Sequence, residues 1–116
     1  MTSATLEVDR TLAALADPHR RRAVELLGEG PLRAGALSEA VGLAAPAMSR
    51  HLKVLRVSGL IEESHPESDA RVRIYTLRRR PLEALDTWLS EMQRAWRDEL
   101  TSFKAHVEAT EASHER

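Results

Sequence analysis

The chain has 116 residues, 42% of hydrophobic types but only 3% aromatic, and no cysteine. That allows one small domain with a core built mainly from Leu, Val and Ala, the kind of core that often gains burial from a second subunit, and it excludes a disulfide framework and a thiolate metal site. The net charge of −1 hides a basic middle, Arg50–Arg80 with eight Lys/Arg against four Asp/Glu, set between acidic flanks, which points to a local anionic partner.

Val8, Leu12 and Leu15 recur at spacings of four and three, with Leu6 extending the stripe, and predict a first helix. Asp17-Pro18 then reads as a cap followed by proline at the first helical position. The helix it opens turns Ala23, Leu26 and Leu27 inward, and Gly28–Pro31 ("GEGP") closes it. A short helix over Ala34–Val41 ends at Gly42, and the next begins near Ala45 or Pro46. Met48, Leu52 and Leu55 form its buried ridge, and Ser58-Gly59 stops it. Two short helices joined by a tight glycine turn outline a helix-turn-helix.

Leu60–Pro66 and Arg71–Leu77 read as the strands of a β-hairpin, turned at Glu67–Ala70. In the second strand Val72, Ile74 and Thr76 share one face, and Arg71, Arg73 and Tyr75 the other. From Pro81 onward Leu82, Leu85, Leu89, Met92, Trp96, Leu100, Phe103 and Val107 step by three or four. They predict one amphipathic helix of roughly 25 residues or more, beyond the usual 10–14. The polar tail after Val107 is expected to fray.

With Met48, Leu52 and Leu55 inward, Ser49, Arg50, Lys53 and Arg56 fall on the opposite or flanking faces. Such cations reach phosphates, and arginine bonds guanine O6 and N7 in the major groove. Arg71 and Arg73 add a second basic element on the hairpin. The six residues together form a candidate surface for double-stranded DNA.

These stretches resemble the ArsR-type winged-helix transcriptional repressors. The matching segments are "LADPHRRRAVELL" (Leu15–Leu27), "LSEAVGL" (Leu37–Leu43), "MSRHLKVLRVSGLI" (Met48–Ile61) and "RVRIYTL" (Arg71–Leu77). The long helix with "WLSEMQRAWRDEL" (Trp88–Leu100) is similar to the subgroup without metal-sensing cysteines. The resemblance spans Asp9 to Val107. It implies a mostly α fold with a small β-hairpin, a winged helix-turn-helix over 1–116. The DNA-binding core is then about 18–80, with the recognition helix over about 45–58 and the wing over about 60–77. Dimerisation helices at about 5–16 and 81–108 complete a symmetric dimer on a palindromic operator. Ser49, Arg50 and Lys53 match the family's contact region, and Arg71 its wing-tip arginine. The expected interface sets Val8, Leu12 and Leu15 against Leu89, Met92, Trp96, Leu100 and Phe103. Four features depart from the family pattern: Ala44 and Ala45 stand where polar residues are frequent, Ala70 replaces a wing glycine, Leu37–Leu43 holds no sensor cysteine, and the last-helix metal site is broken, with Trp88 two residues after Asp86 and no Glu three residues after His106.

No cofactor and no metal are expected. The five histidines, His19, His51, His65, His106 and His114, show no ligand pair in sequence with a carboxylate on the same face. No phosphate loop or nucleophile–base arrangement points to an enzyme. No apolar run approaches the roughly 20 residues of a membrane span, and Met1–Glu7 has no signal-like core, so a cytoplasmic location is expected. The arginine triplets Arg20–Arg22 and Arg78–Arg80 read as ordinary surface, and Trp88 and Trp96 as core or dimer packing. Two classes stay open on the residues alone: a DNA-binding repressor, with or without a small-molecule effector, and a dimeric protein-interaction adaptor on the same fold.

Overall fold

A computed structural model of the chain describes residues 3–114, with side chains through residue 112. Its elements run α1 (Ser3–Ala14), α2 (Pro18–Leu27), β1 (Leu32–Arg33), α3 (Ala34–Val41), α4 (Ala45–Val57), β2 (Ile61–Ser64), β3 (Ile74–Leu77) and α5 (Arg80–His114). Two compact units are present, one running to Leu85 and the other from Asp86.

The predicted punctuation explains most boundaries in the first unit. Asp17 caps α2: its Oδ1 accepts from the N–H groups of His19 (2.8 Å) and Arg20 (3.2 Å), and Pro18 follows at the first helical position. Burial pushes the Asp17 carboxyl up, but those two N–H bonds, with His51 and the Arg20 guanidinium nearby, outweigh it and hold it below its ordinary value. Gly42 ends α3 in a left-handed conformation (φ 80°), and Gly59 does the same after α4 (φ 85°). At Gly59 the chain leaves the helix, and Leu60, with no exposure, enters the core before β2 begins.

The core is Ala14, Ala23, Leu27, Leu37, Met48, Leu52, Leu55, Leu60, Ile61 and Tyr75. Met48, Leu52 and Leu55 form the predicted ridge of α4, each 2% exposed or less. Helix α1 turns Val8, Thr11 and Ala14 inward and leaves Leu12 in solvent.

The sheet differs from a simple hairpin. Three antiparallel strands lie in the order β1-β3-β2. Leu32 and Arg33 pair with Tyr75 and Ile74, while β2 pairs along β3 from Ile61–Leu77 to Ser64–Ile74. A two-residue strand carries no alternation, which is why β1 left no trace in the sequence pattern. Strand β3 begins at Ile74 rather than Arg71. Its buried residue is Tyr75, on the face that also bears the arginines, whereas Ile74 and Thr76 remain half-exposed.

The wing between β2 and β3 is closed locally. His65 Nδ1 donates to the Val72 carbonyl (2.9 Å), and the Arg71 N–H donates to Asp69 Oδ1 (3.0 Å). The first arginine triplet is solvated only in part. Arg20 Nε donates to the Ala14 carbonyl (2.6 Å) and Arg21 Nη1 to that of Leu15 (2.8 Å), which satisfies orphan acceptors around the end of α1. Arg22 pairs with Glu25 (3.2 Å) on the surface. From the second triplet, Arg78 pairs with Glu62 (3.6 Å) and Arg79 Nη2 donates to the Gly28 carbonyl (3.4 Å).

Helix α5 has 35 residues and is helical to His114, so the expected fraying after Val107 is replaced by helix. In the second unit its apolar residues lie open: Leu89, Trp96, Leu100, Phe103 and Val107 are all exposed, with Trp96 at 54% and Phe103 at 67%. No helix among the described residues is long and apolar enough to cross a membrane.

Because Leu55 has no exposure and sits at the centre of the core cluster, Leu55→Ala should cost about 2–5 kcal/mol of folding stability. Chemical denaturation of the two proteins side by side measures it, and a loss under about 1 kcal/mol would contradict the packing.

Candidate nucleic-acid interface

The ridge that buries Met48, Leu52 and Leu55 fixes the rotation of α4 about its axis. Ser49, Arg50, Lys53 and Arg56 are thereby left exposed along one side. Strand β3 and the residues before it bring the wing to that side. A concavity of about 150 Å³ is lined by Ser49, Arg50, Lys53 and Arg56 of α4 together with Arg73 and Tyr75. Four cations from two elements 17 or more residues apart in sequence, Arg56 to Arg73, therefore converge on one small hollow. Five of the six predicted contact residues line it.

Arg71 is the sixth, and it does not line the hollow. It stands at the turn of the wing with its side chain 93% exposed, and its Nε lies 3.4 Å from Asp69 Oδ1. An ion pair this exposed holds little energy, so the guanidinium is available to a phosphate.

The cations are not equivalent. Among the described residues, neither Arg50 nor Lys53 has an acidic partner. Arg56 does: its Nη1 bonds to Glu63 of β2, a carboxylate only 14% exposed. The sequence reading gave Arg56 to the anion, yet its charge is largely answered within the chain, where it ties α4 to the first strand of the wing. Nothing in the spacing of α4 revealed this, because Glu63 belongs to the next element.

Tyr75 is a lining residue that the sequence reading missed. Its ring is buried (3% exposed) at the floor of the hollow. Burial pushes its phenol above the ordinary value and the nearby Glu63 adds to this, while the Arg73 and Arg56 guanidiniums oppose. The phenol therefore stays neutral at physiological pH and contributes packing.

The start of α4 is Ala44, whose backbone is extended and whose side chain makes no capping bond, as expected from the alanines there. The N–H groups of the first turn thus meet no side-chain cap, and such a helix start favours anions. A second hollow of about 260 Å³ lies beside it, lined by Ser38, Ala45, Ser49, Arg73 and others. The arrangement places cations of α4 and of the root of the wing side by side, where a polyanion could meet both. It offers no nucleophile with a base.

Of the interface residues expected on the outer helices, Leu12, Leu89, Trp96, Leu100 and Phe103 are exposed, and Leu15 and Met92 are half-exposed. Val8 is covered within the chain (5% exposed) and so has little area to offer a second copy.

The chain is similar to known proteins along most of its length. Residues 17–63, which hold α2 to β2, match the family model described as "Bacterial regulatory protein, arsR family". The HTH-type transcriptional regulator Rv2034 of Mycobacterium tuberculosis (strain ATCC 25618 / H37Rv) is 38% identical over 101 residues, which cover 87% of this chain and 89% of that protein. The transcriptional repressor SdpR of Bacillus subtilis (strain 168) is 30% identical over 56 residues, 48% of this chain and 62% of SdpR. Among solved structures, an ArsR family transcriptional regulator superposes with a TM-score of 0.72 at 30% identity, over 84% of this chain and 97% of that one.

The different fates of the cations give a graded expectation. Arg50→Ala or Lys53→Ala should each weaken binding to duplex DNA across sequences and lower the slope of log affinity against log salt by about 1. Arg56→Ala should change that slope by less, because Glu63 already answers its charge. Fluorescence anisotropy over a salt series checks this, and a larger slope change for Arg56→Ala than for Arg50→Ala would contradict it.

Proposed function

The chain belongs to the ArsR family of bacterial helix-turn-helix regulators and is a DNA-binding transcriptional regulator, and from that premise we propose that it is a homodimeric repressor of a palindromic operator. Helix α4 enters the major groove, with Ser49, Arg50 and Lys53 toward the bases and phosphates, and Arg71 and Arg73 rest the wing on the backbone. The observation that carries this reading is the hollow where Arg50 and Lys53, without acidic partners among the described residues, meet Arg73 from the wing. Repression follows from occupancy: a dimer seated on an operator excludes other proteins from it. The protein named SdpR is called a repressor, which agrees with this direction. Family membership also favours DNA over the adaptor reading that the residues alone left open.

Dimerisation rests on the second unit. An isolated helix with Leu89, Trp96, Leu100 and Phe103 in water forgoes roughly 1.5–3 kcal/mol for each side chain that a partner could bury. A mate related by a two-fold axis covers such a stripe with its own copy of it. Two-fold symmetry then places two recognition helices about 34–36 Å apart, one turn of DNA. Val8, covered within its own chain, adds little.

Sequencing the duplex fragments retained by the purified protein tests the function. Inverted repeats with half-sites one turn apart are expected, and retention without sequence preference would overturn the operator reading. Trp96→Glu tests the dimer. It should give monomers in sedimentation at micromolar concentration and weaken operator binding at the same time, although the Trp96 side chain is not among those lining the hollow. A monomeric wild-type protein, or a Trp96→Glu dimer with unchanged DNA affinity, would refute it.

A further inference from the structure

The start of α2 and the middle of α4 bring three metal-ligating side chains together, Asp17, His19 and His51. One ligand atom from each lies within 4.8 Å of the other two. His19 Nδ1 stands 3.5 Å from Asp17 Oδ1, and the two imidazole centroids are 5.6 Å apart. The sequence reading found no carboxylate beside a histidine pair because His51 belongs to a different helix from the other two.

Two imidazole nitrogens and one carboxylate oxygen are a donor set suited to first-row divalent ions such as zinc and nickel. Zinc bonds of about 2.0–2.2 Å place ligand atoms on a tetrahedral face roughly 3.3–3.5 Å apart. The present spacing, within 4.8 Å, reaches that with a shift of at most about 1.5 Å, and His19, with its side chain 47% exposed, has room to move. Asp17 is already placed, since its capping bonds to two N–H groups hold the carboxylate still. His51 is carried by α4, whose buried ridge fixes it.

Arg20 works against a cation here. Its Nη1 lies 3.4 Å from His51 Nδ1, and a guanidinium can only donate, so it competes for the imidazole lone pair. The contact is long, and the rest of the guanidinium is drawn toward the end of α1, where Nε and Nη2 donate to the carbonyls of Ala14 (2.6 Å) and Ala13 (3.3 Å). Three protein ligands with a competing donor give weaker binding than a closed four-ligand site, with water completing the shell.

We propose that Asp17, His19 and His51 form a site for one divalent transition-metal ion, which ties the start of α2 to the recognition helix. The site lies outside the hollow described above, and its test does not depend on DNA. Zinc is titrated into the full-length, untagged protein in competition with a chromogenic indicator. One ion per chain is expected. Asp17→Asn, which keeps a capping oxygen and loses the charge, and His19→Ala should each weaken binding at least tenfold, while His65→Ala and His106→Ala leave it unchanged. Added zinc should raise the thermal midpoint of the wild type and of His65→Ala but not that of His19→Ala. Absence of saturable binding at one ion per chain, or a His19→Ala protein that binds zinc as the wild type does, would overturn the site.

Discussion

Three side chains on one helix decide what the rest of the molecule presents. Met48, Leu52 and Leu55 are almost fully withdrawn from water, and a helix pinned at three points along one ridge cannot rotate about its axis. Everything on the other side of α4 follows from this. Ser49, Arg50 and Lys53 face out because their neighbours face in. Desolvating the cations instead would cost far more than the ridge returns. The hydrophobic effect, which has no direction of its own, thus becomes a device for aiming charge.

The wing is aimed by the same core. Tyr75 is the buried residue of β3, and its register against β1 and β2 sets where Arg73 emerges beside α4. The ion pair of Arg56 with Glu63 fastens the helix to the strand that follows it. The sign of each charge is therefore only part of the story: Arg50 and Arg56 are alike in sequence, and one is left for a ligand while the other holds the scaffold. Their difference is set by a carboxylate seven residues further along, carried on another element.

Much of this was legible in the chain. The Asp17-Pro18 cap, the α4 ridge and the stops at Gly42 and Gly59 are local signals, and they appear at the predicted residues. The parts that were not legible depend on long-range pairing. Strand β1 is too short to show a period, and only its pairing with β3 makes it a strand. The inward turn of Tyr75 could not be told from the alternation of Arg71–Leu77, since one face was arginine-rich and the other aliphatic. On α1 the residues covered within the chain are Val8, Thr11 and Ala14, and the two small ones carry no apolar signal in the sequence. The proximity of Asp17, His19 and His51 has the same origin: each residue was visible, and their meeting was not.

The central claim is that α4 and the root of the wing, and no other surface, meet the DNA. Amide chemical-shift mapping of the isotopically labelled protein titrated with its operator duplex tests it most directly. The largest changes should fall on Ser49, Arg50 and Lys53 and on the wing around Arg71 and Arg73. Changes concentrated on other elements, with the recognition helix silent at saturating duplex, would contradict it.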